Sequence, residues 1–269
     1  MLPLTCSDPP SDFDSTVAAF QNTLRKYISG ADLESRLTVQ PGTWPSIANV
    51  TADLTGTTLQ PDRPAAVDLA NLQAGFTIDQ LAFQAEPLTV NSANVRIRAT
   101  AEQLQLSFAR DAQQRVVMVP TDVAHGEVAV EIAQHDLQTL LLFAARQAAQ
   151  EHDATIDDAT LQLEQQGDRA ARFATTVQAR KGMFQATLKI SGKIELSENL
   201  TLRLDDLTCE GEGMLGGMLA AIVSPQLTQY NATAIPLAEH ALGEVRIEHL
   251  QFDVTQGLSV QARFAGRQS

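Results

Sequence analysis

Apolar residues recur at every second position in one segment of this chain after another. Val128, Val130 and Ile132 do so in HGEVAVEI, and Val95 with Ile97 and then Leu104, Leu106 and Phe108 do so before them. In a strand that period sends alternate side chains to opposite faces, so each segment has one apolar and one polar side. Leu37 and Val39 repeat the pattern. Val67, Leu69, Phe76, Ile78, Leu81 and Phe83 read as two strand-like sets separated by Gly75, and Pro87 reads as a break. Trp44-Pro45 reads as a turn or an edge, and Val116–Val119 as a compact strand ending at Pro120. The pattern resumes at Ile156 and runs through Leu161 and Leu163, then Phe184, Ala186, Leu188 and Ile190, then Leu200, Leu202 and Leu204. Two last strands meet at a turn around Gln256-Gly257. Short alternating segments parted by turn residues predict an antiparallel sheet buried on one face.

Three stretches break the alternation. Phe13, Val17, Phe20, Leu24, Tyr27 and Ile28 follow spacings of three and four, which predicts an amphipathic helix over 13–29. Asp12 or Ser11 would cap it and Gly30 would end it. The second is HDLQTLLLFAARQAAQEHD, with Asp136 as N-cap and a stripe of Leu137, Leu140, Leu141, Ala144, Ala145 and Ala148. Leu142 and Phe143 fall outside that stripe, so the apolar surface is wider than a helix lying on one flat sheet needs. A sheet curving around the helix, or a lipid-like ligand, would take up the excess. The third is GMLGGMLAAIVSPQL at 213–227, uncharged and helix-periodic, with Ser224-Pro225 placed to end or kink it. It is shorter than the roughly 18 apolar residues of a membrane span. A helix apolar all round is normally buried. Gly213, Gly216 and Gly217 at its start suggest close packing or mobility.

Residues 1–11 read as a flexible lead, and residues 12–269 as one domain. A chain of 269 residues that is 44% hydrophobic has material for a sizeable core. Its net charge of −13 argues against a nucleic-acid binder, because phosphate contacts need clustered Lys and Arg. The same charge gains little from anionic lipid surfaces, so a transient membrane contact would have to be local or hydrophobic. Cys6 and Cys209 form neither a disulfide framework nor a metal spacing. MLPLTCSDPP lacks the marks of a signal peptide, so the chain as given reads as cytoplasmic.

No catalytic signature is present: no GxSxG, HExxH, P-loop or CxxC. GEGMLGG mimics a glycine-rich loop but lacks the lysine that follows one. His125, His135, His152, His240 and His249 do not pair at metal spacing on one element. His152-Asp153 and Asp157-Asp158 read as solvated turn residues, since the ordered ligand spacing of a calcium loop is missing. The expectation is therefore no enzyme, no catalytic residue, no metal and no cofactor.

The passage VPTDVAHGEVAVEIAQHDLQTLL, the meander MFQATLKISGKIELSENLTLRLDDLTCEG, and the stretch from GMLGGMLAAIVSPQL through GEVRIEHLQFDVTQGLSVQARF together resemble the tubular lipid-binding (TULIP) superfamily. Within it they look like the LmeA-like bacterial phospholipid-binding proteins. The resemblance implies an α+β fold with a strongly curved antiparallel β-sheet wrapped around two or three helices. It also implies an elongated apolar groove for acyl chains, no catalysis, and a place in the cell envelope. On that reading Leu137, Leu140, Leu141, Phe143, Met218, Leu219 and Ile222 line the groove. The partner is a phospholipid or fatty acid, and a homodimer is compatible with it. The rival for each of the seven residues is simple core filling. Two other functions stay open: a structural or protein-interaction module of the envelope with a closed core, and a hydrolase whose partners are distant in sequence.

Overall fold

The computed structural model describes residues 2–30, 32, 35–60, 67, 69–150, 154–181, 184–231, 233–237 and 245–266. For Lys181, Phe184, Met214, Leu215, Ile222, Gln226 and Tyr230 that description covers the backbone alone. Most of it is strand. In chain order β1 (Leu2–Pro3), α1 (Phe13–Tyr27) and β2 (Ile28–Ser29) precede β3 (Leu37–Pro41), β4 (Ser46–Asp53) and β5 (Thr57–Leu59). Next come β6 (Gln73–Val90), β7 (Ala93–Arg110), β8 (Val116–Asp122), β9 (His125–Ala133) and α2 (Gln134–Gln150). The chain then forms β10 (Thr155–Gln165), β11 (Ala170–Lys181), β12 (Phe184–Leu196), β13 (Thr201–Glu212) and α3 (Gly213–Tyr230). It closes with β14 (Thr233–Pro236), β15 (Arg246–Asp253) and β16 (Gly257–Ala265).

These strands build two sheets, where the alternation predicts one. An 11-stranded sheet has the path β15-β16-β9-β7-β6-β4-β3, with β8 and β1 branching from β7 and β5 and β2 from β6. A five-stranded meander, β10-β11-β12-β13-β14, keeps chain order. The divide falls at α2, which follows β9 directly and delivers the chain to the edge of the second sheet. Pairing is antiparallel except that β4 and β5 run parallel to β6, with Ser46 beside Thr77 and Thr57 beside Leu88. Alternation reports which face is buried, not strand direction, so this departure leaves no trace in the sequence.

Two expected breaks lie inside one long strand. β6 and β7 have 18 residues each, about 60 Å at the usual rise. Gly75 sits at a register shift, where a Cβ would stand 2.3 Å from the Leu106 carbonyl oxygen. Pro87 sits in a second shift, between Ala85 and Leu88. Bulges absorb residues that a regular ladder cannot hold, so the strand bends without ending. Pro120 likewise lies within β8.

The sealed core belongs to the first half of the chain. α1 starts at a reciprocal cap in which Asp12 accepts from the Ser15 N–H and the Ser15 hydroxyl accepts from the Asp12 N–H. Its apolar face brings Phe20 onto Ile47, Phe76, Ile78, Leu106 and Phe108. The ring of Phe76 lies 5.9 Å from Phe20 and 6.0 Å from Phe108. The lead expected to be loose is tied to this core: β1 pairs with β8, Leu4 is buried, and the Thr5 N–H donates to Thr23 at 3.0 Å.

Candidate functional site

One face of the five-stranded sheet is largely apolar, with Gln165, Thr175 and Thr233 as its polar positions. The registers align Leu161, Thr175, Ile190 and Cys209 in one cross-strand row, and Ala159, Val177, Leu188 and Gly211 in the next. Leu163, Phe173 and Gly192 form a third row, and Leu196, Leu202 and Ile235 a fourth. The opposite face carries Arg172, Lys189, Lys193, Glu195 and their neighbours, with exposed ion pairs such as Lys189–Glu212 at 2.6 Å. Such pairs contribute little stability and mark this side as the one facing water.

This apolar face is not sealed. Among the described residues, all three clusters of buried apolar residues fall between Leu4 and Val119. In the second sheet the fully buried positions include Ala159, Ala171, Ala186 and Leu196. The larger Leu161, Leu163, Phe173, Leu188, Ile190 and Leu204 remain half-buried. The apolar face of the first sheet behaves similarly toward its far end, where Val128, Val130, Ile132, Leu250 and Phe252 are half-buried.

Two helices pack against these sheets. α2 lies against β10 and also touches β7, β9 and β16, so it bridges the two sheets. It begins at Gln134, two residues before the predicted cap. Asp136 lies in its first turn and accepts from the Asn94 N–H at 2.8 Å, so its carboxylate ties the helix to the β6–β7 turn. The polar stripe of α2 has a use that sequence reasoning did not find. Gln134 and Gln138 donate to the Leu161 carbonyl at 3.0 and 3.4 Å, and Arg146 donates to the Ile156 carbonyl at 3.1 Å. These are backbone acceptors on the open edge of β10, so the helix covers that edge.

α3 packs on β12 and β13. It continues through Pro225 to Tyr230, so the proline expected to end or kink the helix does not end it. The proline forfeits one backbone hydrogen bond. Ser224 donating to the Cys209 carbonyl at 3.3 Å, and Asn231 accepting from the Leu207 N–H at 3.3 Å, hold the helix on both sides of it. Its first turn approaches β13 closely: a Cβ on Gly211 would stand 1.8 Å from the Gly216 carbonyl oxygen.

Of the seven residues singled out, Leu137, Leu140 and Leu141 are half-buried along α2, and Phe143 is 37% exposed. On α3, Leu219 is half-buried and Met218 is 60% exposed, so the helix expected to be buried all round shows an apolar side to the surface. The side chain of Ile222 lies outside the described residues, as do His152-Asp153 and His240.

A cavity of about 970 Å³ opens at the N-terminal end of α2, between Glu86, Arg96, Glu131, Asp136, Asp253 and Gly257. None of the seven residues lines it. Its carboxylates are spoken for: Arg98 pairs with Glu86 and holds its carboxyl below the usual range, and the Thr255 hydroxyl and N–H do the same for Asp253. Burial pushes the Cys209 thiol up, which leaves it a poor nucleophile at neutral pH. Among the described residues no group of three or more His, Cys, Asp or Glu side chains is placed to hold a metal ion. No helix among them is long and apolar enough to cross a membrane.

Compared with protein-family models, curated proteins and solved structures, the chain finds no match.

Proposed function

We propose that this chain binds phospholipid or fatty-acyl lipid, without chemistry on it, along the apolar face of the five-stranded sheet and the helices α2 and α3. The observation that carries the reading is the mismatch between composition and burial on that face. Leu, Ile, Val and Phe supply most of the bulk of its rows, yet apart from Ile156 and Leu196 the large side chains described there stay half-open while their counterparts near α1 are sealed. Apolar surface of this extent has a driving force toward an apolar occupant, about 0.8 kcal/mol per CH₂ group that leaves water. Acyl chains fit a surface that is long, lacks charge and is lined by flexible side chains. The resemblance to tubular lipid-binding proteins supports the same reading. A net charge of −13 favours recognition through the acyl chains over capture of an anionic headgroup.

Native mass spectrometry tests this directly. Protein stripped of lipid on a hydrophobic resin is incubated with phosphatidylcholine vesicles or with palmitate, then repurified. The expected result is a stoichiometric lipid adduct. Phe143→Glu and Met218→Glu, at exposed positions, reduce uptake several-fold while the melting temperature stays within a degree or two. Protein that takes up neither lipid class overturns the proposal.

A further inference from the structure

A strand at the end of a sheet presents a row of unpaired N–H and C=O groups, which proteins either blunt or pair. The main paths of the two sheets end on β3, β15, β10 and β14, and the side branches of the larger sheet end on β1 and β2, of two residues each. β10 is covered by Gln134, Gln138 and Arg146 of α2. β3 has five residues and finishes on Pro41, and β14 has four and finishes on Pro236. Short strands ended by proline are poor templates for a further strand. β15 has eight residues and no proline, and among the described residues it pairs only with β16.

The two faces of β15 are sharply distinguished. Ile247, Leu250 and Phe252 are half-buried and stand beside Phe264, Ala262 and Val260 of β16. Arg246, Glu248, His249, Gln251 and Asp253 are exposed. The register shift between Ile247 and His249 leaves Glu248 without a partner on β16. That bulge is what brings Arg246 and Asp253, at opposite ends of the strand, to the same face.

The edge is complementary to itself. We propose that two copies of this chain pair antiparallel through β15, with a two-fold axis passing beside Leu250. With Glu248 and His249 counted as one position, Leu250 then faces its own copy. Ile247 faces Phe252, His249 faces Gln251, and Arg246 faces Asp253, each twice. Every opposed pair belongs to the same face, apolar with apolar and polar with polar, and the terminal pairs are of opposite charge. A slip by one residue would set apolar side chains on the polar side. A parallel arrangement in register would oppose Arg246 to Arg246 and Asp253 to Asp253. The pattern of charge therefore selects one register and one direction, as a single-sign edge built only to repel would not.

Sedimentation over a concentration series provides the first test. The dimer fraction rises with concentration. Arg246→Asp and Asp253→Arg each weaken association at least tenfold, and the double reversal R246D/D253R restores it. Asp253 also accepts hydrogen bonds from Thr255, so a second test leaves it untouched. In a chain with Cys6 and Cys209 replaced by serine, His249→Cys and Gln251→Cys are made separately at these exposed positions. Mixed and mildly oxidised, they form a disulfide-linked dimer in yield well above either alone. A chain that stays monomeric throughout the series, or a mixture that cross-links no better than its components, overturns the proposal.

Discussion

Asp111 is the carboxylate most completely removed from water among the described residues, with a side chain 0% exposed. Burial alone pushes its pKa up. The Arg115 guanidinium at 2.7 Å and the backbone N–H groups of Arg115 and Gln113, each at 2.9 Å, outweigh burial and hold the carboxyl below its ordinary value of 3.8. A carboxyl whose folded pKa is depressed adds stability that is complete above its unfolded value and is lost as pH falls through the folded one. Asp111→Asn therefore lowers the melting temperature at pH 7 by roughly 5 °C. The gap between variant and parent closes as thermal scans move well below pH 3.8. At this scale the sequence was partly legible. It marked Gly213, Gly216 and Gly217 for close packing or mobility, and of the three Gly216 meets Gly211 closely. It gave no hint of Gly211, a strand glycine whose need for no side chain arises only when α3 folds back onto it. Gly217 fits the same pattern, yet a Cβ there would have no neighbour within 4 Å.

Helices and strands were legible as elements because their periods differ. Of the two caps offered for α1, Asp12 or Ser11, Asp12 is the one used, while the helix ends at Tyr27 rather than at Gly30 because Ile28–Ser29 pairs with β5. The polar face of α2 was visible too, but only as polarity. Its partner is a row of backbone carbonyls on β10, and backbone acceptors have no signature in a residue pattern. Double replacement Gln134→Ala with Gln138→Ala removes two hydrogen bonds to Leu161. It should cost about 1–3 kcal/mol in urea unfolding. Gln147→Ala, at an exposed position of the same helix, should leave the urea midpoint unchanged.

Across the whole molecule burial is uneven, and that unevenness separates two kinds of apolar surface. Ile47, Phe108, Val116, Val117 and Val119 are at most 1% exposed, whereas on β10–β13 Leu161, Leu163, Phe173, Leu188, Ile190 and Leu204 stay half-open and Ile156 and Leu196 alone among the large described side chains are buried. Local opening free energy follows buried apolar contact. Native-state hydrogen exchange should thus be slowest in β4 and β6–β8 and faster in β10–β13, by at least a factor of ten for matched interior amides. Saturation with an acyl lipid should narrow that difference if the half-open face is where lipid sits.

Period and composition by themselves determined that this chain is strand-rich, where α1, α2 and α3 interrupt the strands, and which side of each strand is apolar. Those properties are local: a side chain's face depends on its neighbours two, three or four positions away. Only the tertiary structure decided that the strands divide into two sheets, that β4 and β5 run parallel to β6, and that Gly75 and Pro87 bend a strand they were expected to end. It also decided which apolar faces are sealed and which stay open. Each of these depends on where the chain returns after a long excursion, and alternation carries no record of that.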